Sequence, residues 1–103
     1  MNSAQHRQLE RYRREELRWQ ILVTLNVGGR LSPMSEDMIL RVLSDAEAPT
    51  GPHELRTELD YLAEKGLVRI TSREAHWRVE LTAAGTDVVE YTVDAPPGIA
   101  RPR

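Results

Sequence analysis

The segment that most constrains the fold of this chain is ELRTELDYLAEKGLVRI, which runs from Glu54 to Ile70. Three of its leucines recur at helical spacing: Leu55, Leu59 and Leu62. Side chains at this spacing share one face of a helix, so they predict a helix with one buried side. Gly66 stands where that helix must end, because glycine adopts the left-handed conformation without a Cβ clash. The alternation of Val68 and Ile70 with polar residues predicts that a strand follows directly.

Composition limits the functions that the chain can perform. Its 103 residues are enough for one domain, and the absence of cysteine excludes disulfides, thiol catalysis and cysteine-ligated metal centres. The three histidines are scattered, and the sequence has neither a nucleophile motif nor a glycine-rich phosphate loop. We therefore predict no metal, no cofactor and no enzymatic activity. No apolar run suits a signal sequence or a membrane span, so we expect a cytoplasmic protein that binds no membrane.

Charge is distributed unevenly along the chain. The net charge is -2 and the isoelectric point is about 5.9, which is not the basic character typical of nucleic-acid-binding domains. The first 30 residues carry six arginines against three glutamates, whereas residues 31–66 carry eight acidic side chains against three basic ones. A basic first segment therefore precedes an acidic middle.

The N-terminal third predicts one long helix, from Gln5 to about Val27, which Gly28 and Gly29 end. Its apolar side chains form two stripes on nearly opposite sides of the helix, and such a helix needs two packing partners. One stripe consists of Leu17, Ile21 and Leu25, and the other of Leu9, Tyr12, Trp19 and Val23. We expect the first stripe to face the domain and the second to form a homodimer interface, with packing against the last helix as the alternative.

Local signals predict the remaining helices and strands. A helix start needs a residue that caps the free N–H groups or a proline that has none, and a half-buried strand needs alternating apolar residues. Helices are predicted to start at Ser32-Pro33, with Ser35 as a competing cap, at Gly51-Pro52 and at Thr82. Strands are predicted at Leu31, over residues 67–71 and over residues 76–81, the last two forming a hairpin.

Three parts of the chain differ in composition. Residues 1–15 form a basic helical extension, residues 16–91 the domain and residues 92–103 a proline-rich tail. We expect the tail to be extended or disordered, because proline and glycine support neither a helix nor a strand there. Its PPGIARPR run is also typical of a polyproline-type ligand for a partner protein, and both interpretations are open.

The order of the predicted elements and two short runs resemble a known family. The helix, short strand, helix, helix, two-stranded wing and helix between Glu16 and Tyr91 resemble bacterial and phage winged helix-turn-helix regulators. Glu54–Ile70 is similar to their third helix and wing, and Leu81-Thr82-Ala83-Ala84-Gly85 to the Leu-Thr-x-x-Gly run that opens their last helix. The whole chain, with its TVDAPPGIARP tail, also resembles small winged-helix proteins of Mu-like phages and prophages.

The resemblance implies an α+β fold, with a three-helix core, a two-stranded β wing, a long N-terminal helix and a short C-terminal helix. It also implies a transcriptional regulator that binds double-stranded DNA, with its third helix in the major groove and its wing on phosphates. The matching side chains are His53, Arg56 and Thr57 on the helix and Arg69, Arg73 and Arg78 on the wing.

Acidic residues on the same helix support a different function. Asp60 and Glu64 lie on its predicted outward face, where carboxylates repel phosphate. The alternative hypothesis is a winged-helix protein–protein interaction module, in which this acidic helix faces a basic partner and no DNA is bound. The arginine-rich face of the first helix is likewise either a nucleic-acid contact or a solvated surface.

Overall fold

The computed structural model describes residues 2–103, which form an α+β fold of four helices and one three-stranded antiparallel sheet. The elements follow in the order α1 (Ser3–Gly28), β1 (Met34–Ser35), α2 (Glu36–Asp45), α3 (Pro52–Glu64), β2 (Val68–Ser72), β3 (Arg78–Leu81) and α4 (Ala83–Val89). The α+β class predicted from the sequence is confirmed. Within residues 2–103, none of the helices combines the length and the apolar character needed to cross a membrane.

Helix α1 is buried only along its C-terminal half. It starts with a capping box, in which the Asn2 side chain accepts from the Gln5 N–H and the Gln5 side chain accepts from the Asn2 N–H. Its buried residues are Leu17, Ile21, Leu22, Thr24 and Leu25. Side chains from residue 2 to residue 13 are all exposed, so the first turns contribute nothing to the core.

The first strand and the start of α2 lie downstream of their predicted positions. Leu31 is fully exposed and belongs to no strand, whereas Met34–Ser35 pairs with β3. Ser35 caps α2, and its hydroxyl accepts a hydrogen bond of 3.2 Å from a backbone N–H in the first turn. The predictions of a strand at Leu31 and of a helix start at Ser32-Pro33 are therefore wrong. Pairing with β3 keeps the backbone extended through Met34, so the helix cannot begin before Ser35, which therefore acts as its cap.

Helix α3 and the β2–β3 hairpin follow the sequence prediction. Pro52 is the first residue of α3, and the three leucines of its apolar face are completely buried. Gly66 has a φ of +77°, the left-handed conformation that ends the helix. Strands β2 and β3 pair antiparallel with Ile70 opposite Val79, and the register shifts between Ile70 and Ser72. The predicted hairpin is confirmed, with strand ends that differ from the prediction by at most two residues.

One hydrophobic core joins the helices to the inner face of the sheet, whose strand order is β1-β3-β2. Its fully buried large side chains are Ile21, Leu22, Leu25, Ile39, Leu43, Leu55, Leu59, Leu62 and Val79. Trp77, immediately before β3, adds its ring to this core. The chain has no phenylalanine, so the indole of Trp77 supplies volume that aliphatic side chains alone would leave unfilled.

The run Leu81–Gly85 fixes the hairpin to α4. The Thr82 hydroxyl donates to the Gly66 carbonyl at 2.7 Å and accepts from the Gly85 N–H at 3.1 Å. A Cβ on Gly85 would overlap the carbonyl oxygen of Leu67. Only glycine therefore lets α4 approach the start of β2 this closely, which explains the threonine and the glycine of this run in physical terms.

Residues 92–103, for which the sequence predicts an extended or disordered tail, contain no helix or strand but are packed against the fold. Ile99 is only 8% exposed and belongs to the core. The Ala100 N–H donates to the Glu15 carbonyl at 3.1 Å, which fixes the tail to α1. A single apolar residue among prolines gives no periodic pattern, so the sequence does not reveal this anchor.

Candidate nucleic-acid interface

The exposed face of α3 carries the side chains that the sequence places there, His53, Thr57, Asp60 and Glu64. The Thr57 hydroxyl donates to the His53 carbonyl at 3.0 Å, so it is already satisfied within the helix. Tyr61, on the flank of this face, is half-buried. The exposed face therefore offers one imidazole and one hydroxyl near its N-terminal end and two carboxylates further along.

Arg56 does not belong to that exposed face, because a buried carboxylate holds it. Its Nε donates to Oε2 of Glu36 at 2.8 Å and its Nη2 donates to Oε1, while Glu36 is only 3% exposed. Nη2 also donates to the Ala75 carbonyl at 3.2 Å, and the guanidinium lies 4.8 Å from the centre of the Trp77 ring. Arg56 therefore joins α2, α3 and the hairpin, and in this arrangement it stabilises the fold instead of pointing towards a ligand.

The surroundings of Glu36 explain how a carboxylate is tolerated at this depth. The hydrogen bond from Arg56 holds the pKa of Glu36 below its usual range, and the Trp77 N–H, which donates to it at 3.0 Å, acts in the same direction. The same contact raises the pKa of Arg56. The Glu36 N–H in turn donates to the Trp77 carbonyl at 2.9 Å. A charged pair thus fixes the start of α2 beside the start of β3.

The tip of the hairpin lies over α3, because Arg73 contacts that helix. Nη2 of Arg73 lies 2.7 Å from Oδ1 of Asp60, and the guanidinium lies 4.5 Å from the centre of the Trp77 ring. Both members of the ion pair are about half exposed. The outward face of α3 and the tip of the hairpin therefore form one continuous surface, on which opposite charges lie side by side.

Two other arginines lie on the solvent side of the sheet. Arg69 of β2 faces Glu80 of β3, with Nε 3.0 Å from Oε1, as the antiparallel register requires. Arg78 is exposed and forms no ion pair with any acidic side chain of residues 2–103. Of the arginines predicted to contact DNA, Arg78 can meet a phosphate without first leaving a carboxylate.

Two arginines tie the basic half of α1 to α3. Arg13 makes a two-point contact with Glu54, which lowers the pKa of the carboxyl and raises that of the guanidinium. Arg18 donates from Nε to Oε1 of Glu58 at 2.6 Å, and their side chains are only 13% and 3% exposed. The buried Glu58 was missed in the sequence, although it follows Leu55 by three residues and so lies on the apolar face of α3.

The side chains predicted to form a homodimer interface lie in two environments. Leu9 and Tyr12, on the first turns of α1, are 50% and 48% exposed. Trp19 instead meets Tyr91 edge-to-face, with ring centres 6.1 Å apart, and Val23 is half-buried. The C-terminal part of the stripe thus packs within the chain, next to the last helix, while Leu9 and Tyr12 are accessible to a second molecule.

Within residues 2–103, no three histidine or acidic side chains are grouped so that they could hold a metal ion. No protein-family model, curated protein or solved structure matches the chain. Its function is therefore inferred from the surface that α3, the hairpin and the first turns of α1 present to other molecules.

Proposed function

We propose that this chain is a small winged helix-turn-helix protein that binds double-stranded DNA and acts as a phage or bacterial transcriptional regulator. The order of its elements supports this family. Helices α2 and α3 are followed by the β2–β3 hairpin, and the short β1 completes a sheet of order β1-β3-β2. In such proteins the third helix enters the major groove, while the hairpin, as the wing, meets the phosphate backbone.

One observation carries the proposal, the 2.7 Å contact between Arg73 and Asp60, which brings the tip of the hairpin beside the exposed face of α3. A duplex that lies on α3 therefore meets the hairpin at the same time. His53 and Thr57, near the N-terminal end of α3, face the edges of the bases. The phosphate contacts are Arg69, Arg73 and Arg78.

Asp60 and Glu64 weaken this binding without preventing it. Exposed ion pairs such as that of Arg73 and Asp60 contribute only about 0.2–1 kcal/mol, so a phosphate replaces the carboxylate at little cost. The displaced Asp60 then faces the duplex and repels it. We therefore expect modest affinity that increases strongly as the salt concentration is lowered.

The test is the binding of a labelled mixed-sequence duplex, followed by fluorescence anisotropy between about 50 and about 200 mM salt. We expect affinity to fall steeply with salt, and Arg78→Gln to reduce the slope of log affinity against log salt by about one. Arg30→Gln is the matched control, because Arg30 forms a half-exposed ion pair with Glu90 beyond the other end of β3. No binding at the lowest salt, or equal losses in both variants, contradicts the proposal.

The ion pairs of the arginines near α3 favour a second function, that of a protein–protein interaction module that does not bind DNA. Arg13 and Arg56 are both paired with carboxylates of the chain itself, Glu54 and Glu36, so neither adds positive charge to the exposed face that carries Asp60 and Glu64. A double variant, Asp60→Asn with Glu64→Gln, separates the two functions. It should raise duplex affinity if the surface binds DNA, and it should abolish capture of a basic peptide if the surface binds a basic partner.

The proposed regulator is a homodimer through the first turns of α1. Leu9 and Tyr12 lie three residues apart on neighbouring turns and are both about half exposed. A helical arm of about a dozen residues has little stability of its own in water, so a second copy of the arm provides the packing partner that the chain does not. A dimer also gives a pair of third helices for two DNA half-sites.

A further inference from the structure

The docked part of the C-terminal tail, residues 96–102, crosses α1 between α3 and the end of α4. Its one core side chain is Ile99, next to Gly98, which has a φ of +94°. A Cβ on Gly98 would overlap the Tyr61 hydroxyl, so both the backbone conformation and the available space require glycine. The tail therefore docks through a short glycine–isoleucine element with prolines on both sides.

The surface under the tail holds it largely through side-chain donors to backbone carbonyls. Arg18 Nη1 donates to the Gly98 carbonyl at 3.1 Å, and the Tyr61 hydroxyl donates to the Pro97 carbonyl at 3.4 Å. The Tyr91 hydroxyl donates to the Pro102 carbonyl at 2.6 Å. We call the surface formed by Glu15, Arg18, Tyr61 and Tyr91 the tail groove. Proteins bind extended proline-containing peptides with aromatic rings and with side chains that donate hydrogen bonds to the peptide carbonyls. Such binding does not require that the peptide belong to the same chain.

The covalent link between the groove and the tail is short and exposed. Residues 92–94, which follow α4, are all exposed. Tyr91, at the start of the link, has a φ of +63°, a left-handed conformation that is unfavourable for residues other than glycine. The link also takes part in docking, because Arg101 Nη1 of the tail donates to the Val93 carbonyl at 2.7 Å and to the Val88 carbonyl of α4 at 3.0 Å.

A cavity of about 540 Å³ adjoins the docked tail. Ala100 and Pro102 line it on the tail side, Trp19 on α1 and residues 46–50 on the side of the α2–α3 turn. The tail presents here only the methyl group of Ala100 and the ring of Pro102, and these two small side chains leave most of the space unfilled. The tail groove therefore accepts a larger side chain than its resident segment provides.

We propose that the tail groove is a binding site for an extended, proline-containing segment of another protein, which displaces the tail. The occupant has a Pro-Gly-aliphatic core like Pro97-Gly98-Ile99 and a large apolar side chain in place of Ala100. The larger side chain is essential, because the tethered tail competes at an effective concentration of about a millimolar. By filling the cavity, a separate segment gains the extra affinity that it needs to displace the tethered tail. This site is independent of DNA binding.

The first test uses the full chain with Ile99→Asp, which removes the tail anchor, and labelled decapeptides of the sequence Asp94–Arg103. We expect the native peptide to bind this variant, and a peptide with leucine at the position of Ala100 to bind at least about tenfold tighter through added apolar burial. A peptide with alanine at the position of Gly98 should not bind, because its Cβ meets Tyr61. Absence of binding to the folded variant, or equal binding of the three peptides, overturns the proposal.

A second test keeps the native tail and covers the case in which Ile99→Asp does not fold. A specific protease site is inserted between Val93 and Asp94, in the exposed link, and the chain is cleaved after folding. The tail should remain bound and then exchange with the leucine-containing peptide. Unfolding on cleavage, or a bound tail that never exchanges, overturns the proposal. The proposal is also overturned if the unmodified protein is a dimer that the native peptide dissociates, because the groove is then occupied by the tail of a second copy.

Discussion

The carboxylate of Glu36 and the guanidinium of Arg56 form a two-point ion pair that joins the start of α2 to α3 beneath the hairpin. This pair engages the partly exposed arginine that the sequence places at a DNA interface with a buried carboxylate. It also creates a carboxylate whose pKa differs between the folded and the unfolded chain, which makes the stability of the fold depend on pH.

Acid should destabilise the protein through Glu36. Its folded-state pKa is lowered, so its contribution to stability is complete above the ordinary glutamate value of 4.5 and is lost as the pH falls through the folded-state pKa. Glu54 acts in the same direction. We expect Arg56→Gln to flatten the dependence of the urea midpoint on pH between about 5 and about 3. Arg41→Gln, at an exposed arginine outside this pair, should leave the dependence unchanged.

Loss of one partner in the buried pair of Arg18 and Glu58 should be costly. Arg18→Met leaves the Glu58 carboxylate buried without its charged partner, and we expect a loss of about 3 kcal/mol in the free energy of unfolding. Adding Glu58→Met should recover much of that loss. Arg11→Met provides the comparison, because the Arg11 side chain is 58% exposed and its loss should change stability by less than about 0.5 kcal/mol. Similar losses for Arg11→Met and Arg18→Met in urea unfolding refute this expectation.

Gly85→Ala should destabilise the junction between the hairpin and α4. Its Cβ overlaps the backbone carbonyl of Leu67, which cannot move without disturbing β2, and overpacking of this kind costs about 1–3 kcal/mol. Gly51→Ala is the matched control, because nothing lies within 4 Å of a Cβ at that position. Thermal unfolding followed by circular dichroism compares the two variants, and a melting temperature for Gly85→Ala as high as that of Gly51→Ala argues against the close approach.

Polar substitution of the exposed apolar pair on α1 should dissociate the proposed dimer. Leu9→Gln with Tyr12→Gln removes the apolar contact, and sedimentation equilibrium should then report a monomer at concentrations where the unmodified chain is a dimer. Arg7→Gln, on nearly the opposite side of the same turns, should leave the association intact. An unmodified chain that is monomeric at high concentration rules out this interface.

The sequence alone predicts correctly those elements whose structure depends on residues close together in the chain. The leucines of α3, Gly66 after them and Pro52 before them identify that helix, because helix spacing and caps involve residues at most four apart. The alternation around Ile70 and Val79 likewise identifies the hairpin, whose turn is short. The positions of His53, Thr57 and Asp60 on the outward face of α3 follow from the same helical geometry.

The tertiary structure decided what depends on residues far apart in the chain. Arg56 is held away from the candidate interface by Glu36, twenty residues earlier, and the tail is anchored by Ile99 against helices that lie far earlier in the chain. The first strand begins at Met34 because β3 pairs with it there, which no local signal near Leu31 reveals. Local propensities arise from the chain's own neighbours, whereas ion pairs, strand partners and anchors form only when folding brings distant residues together and excludes water from between them.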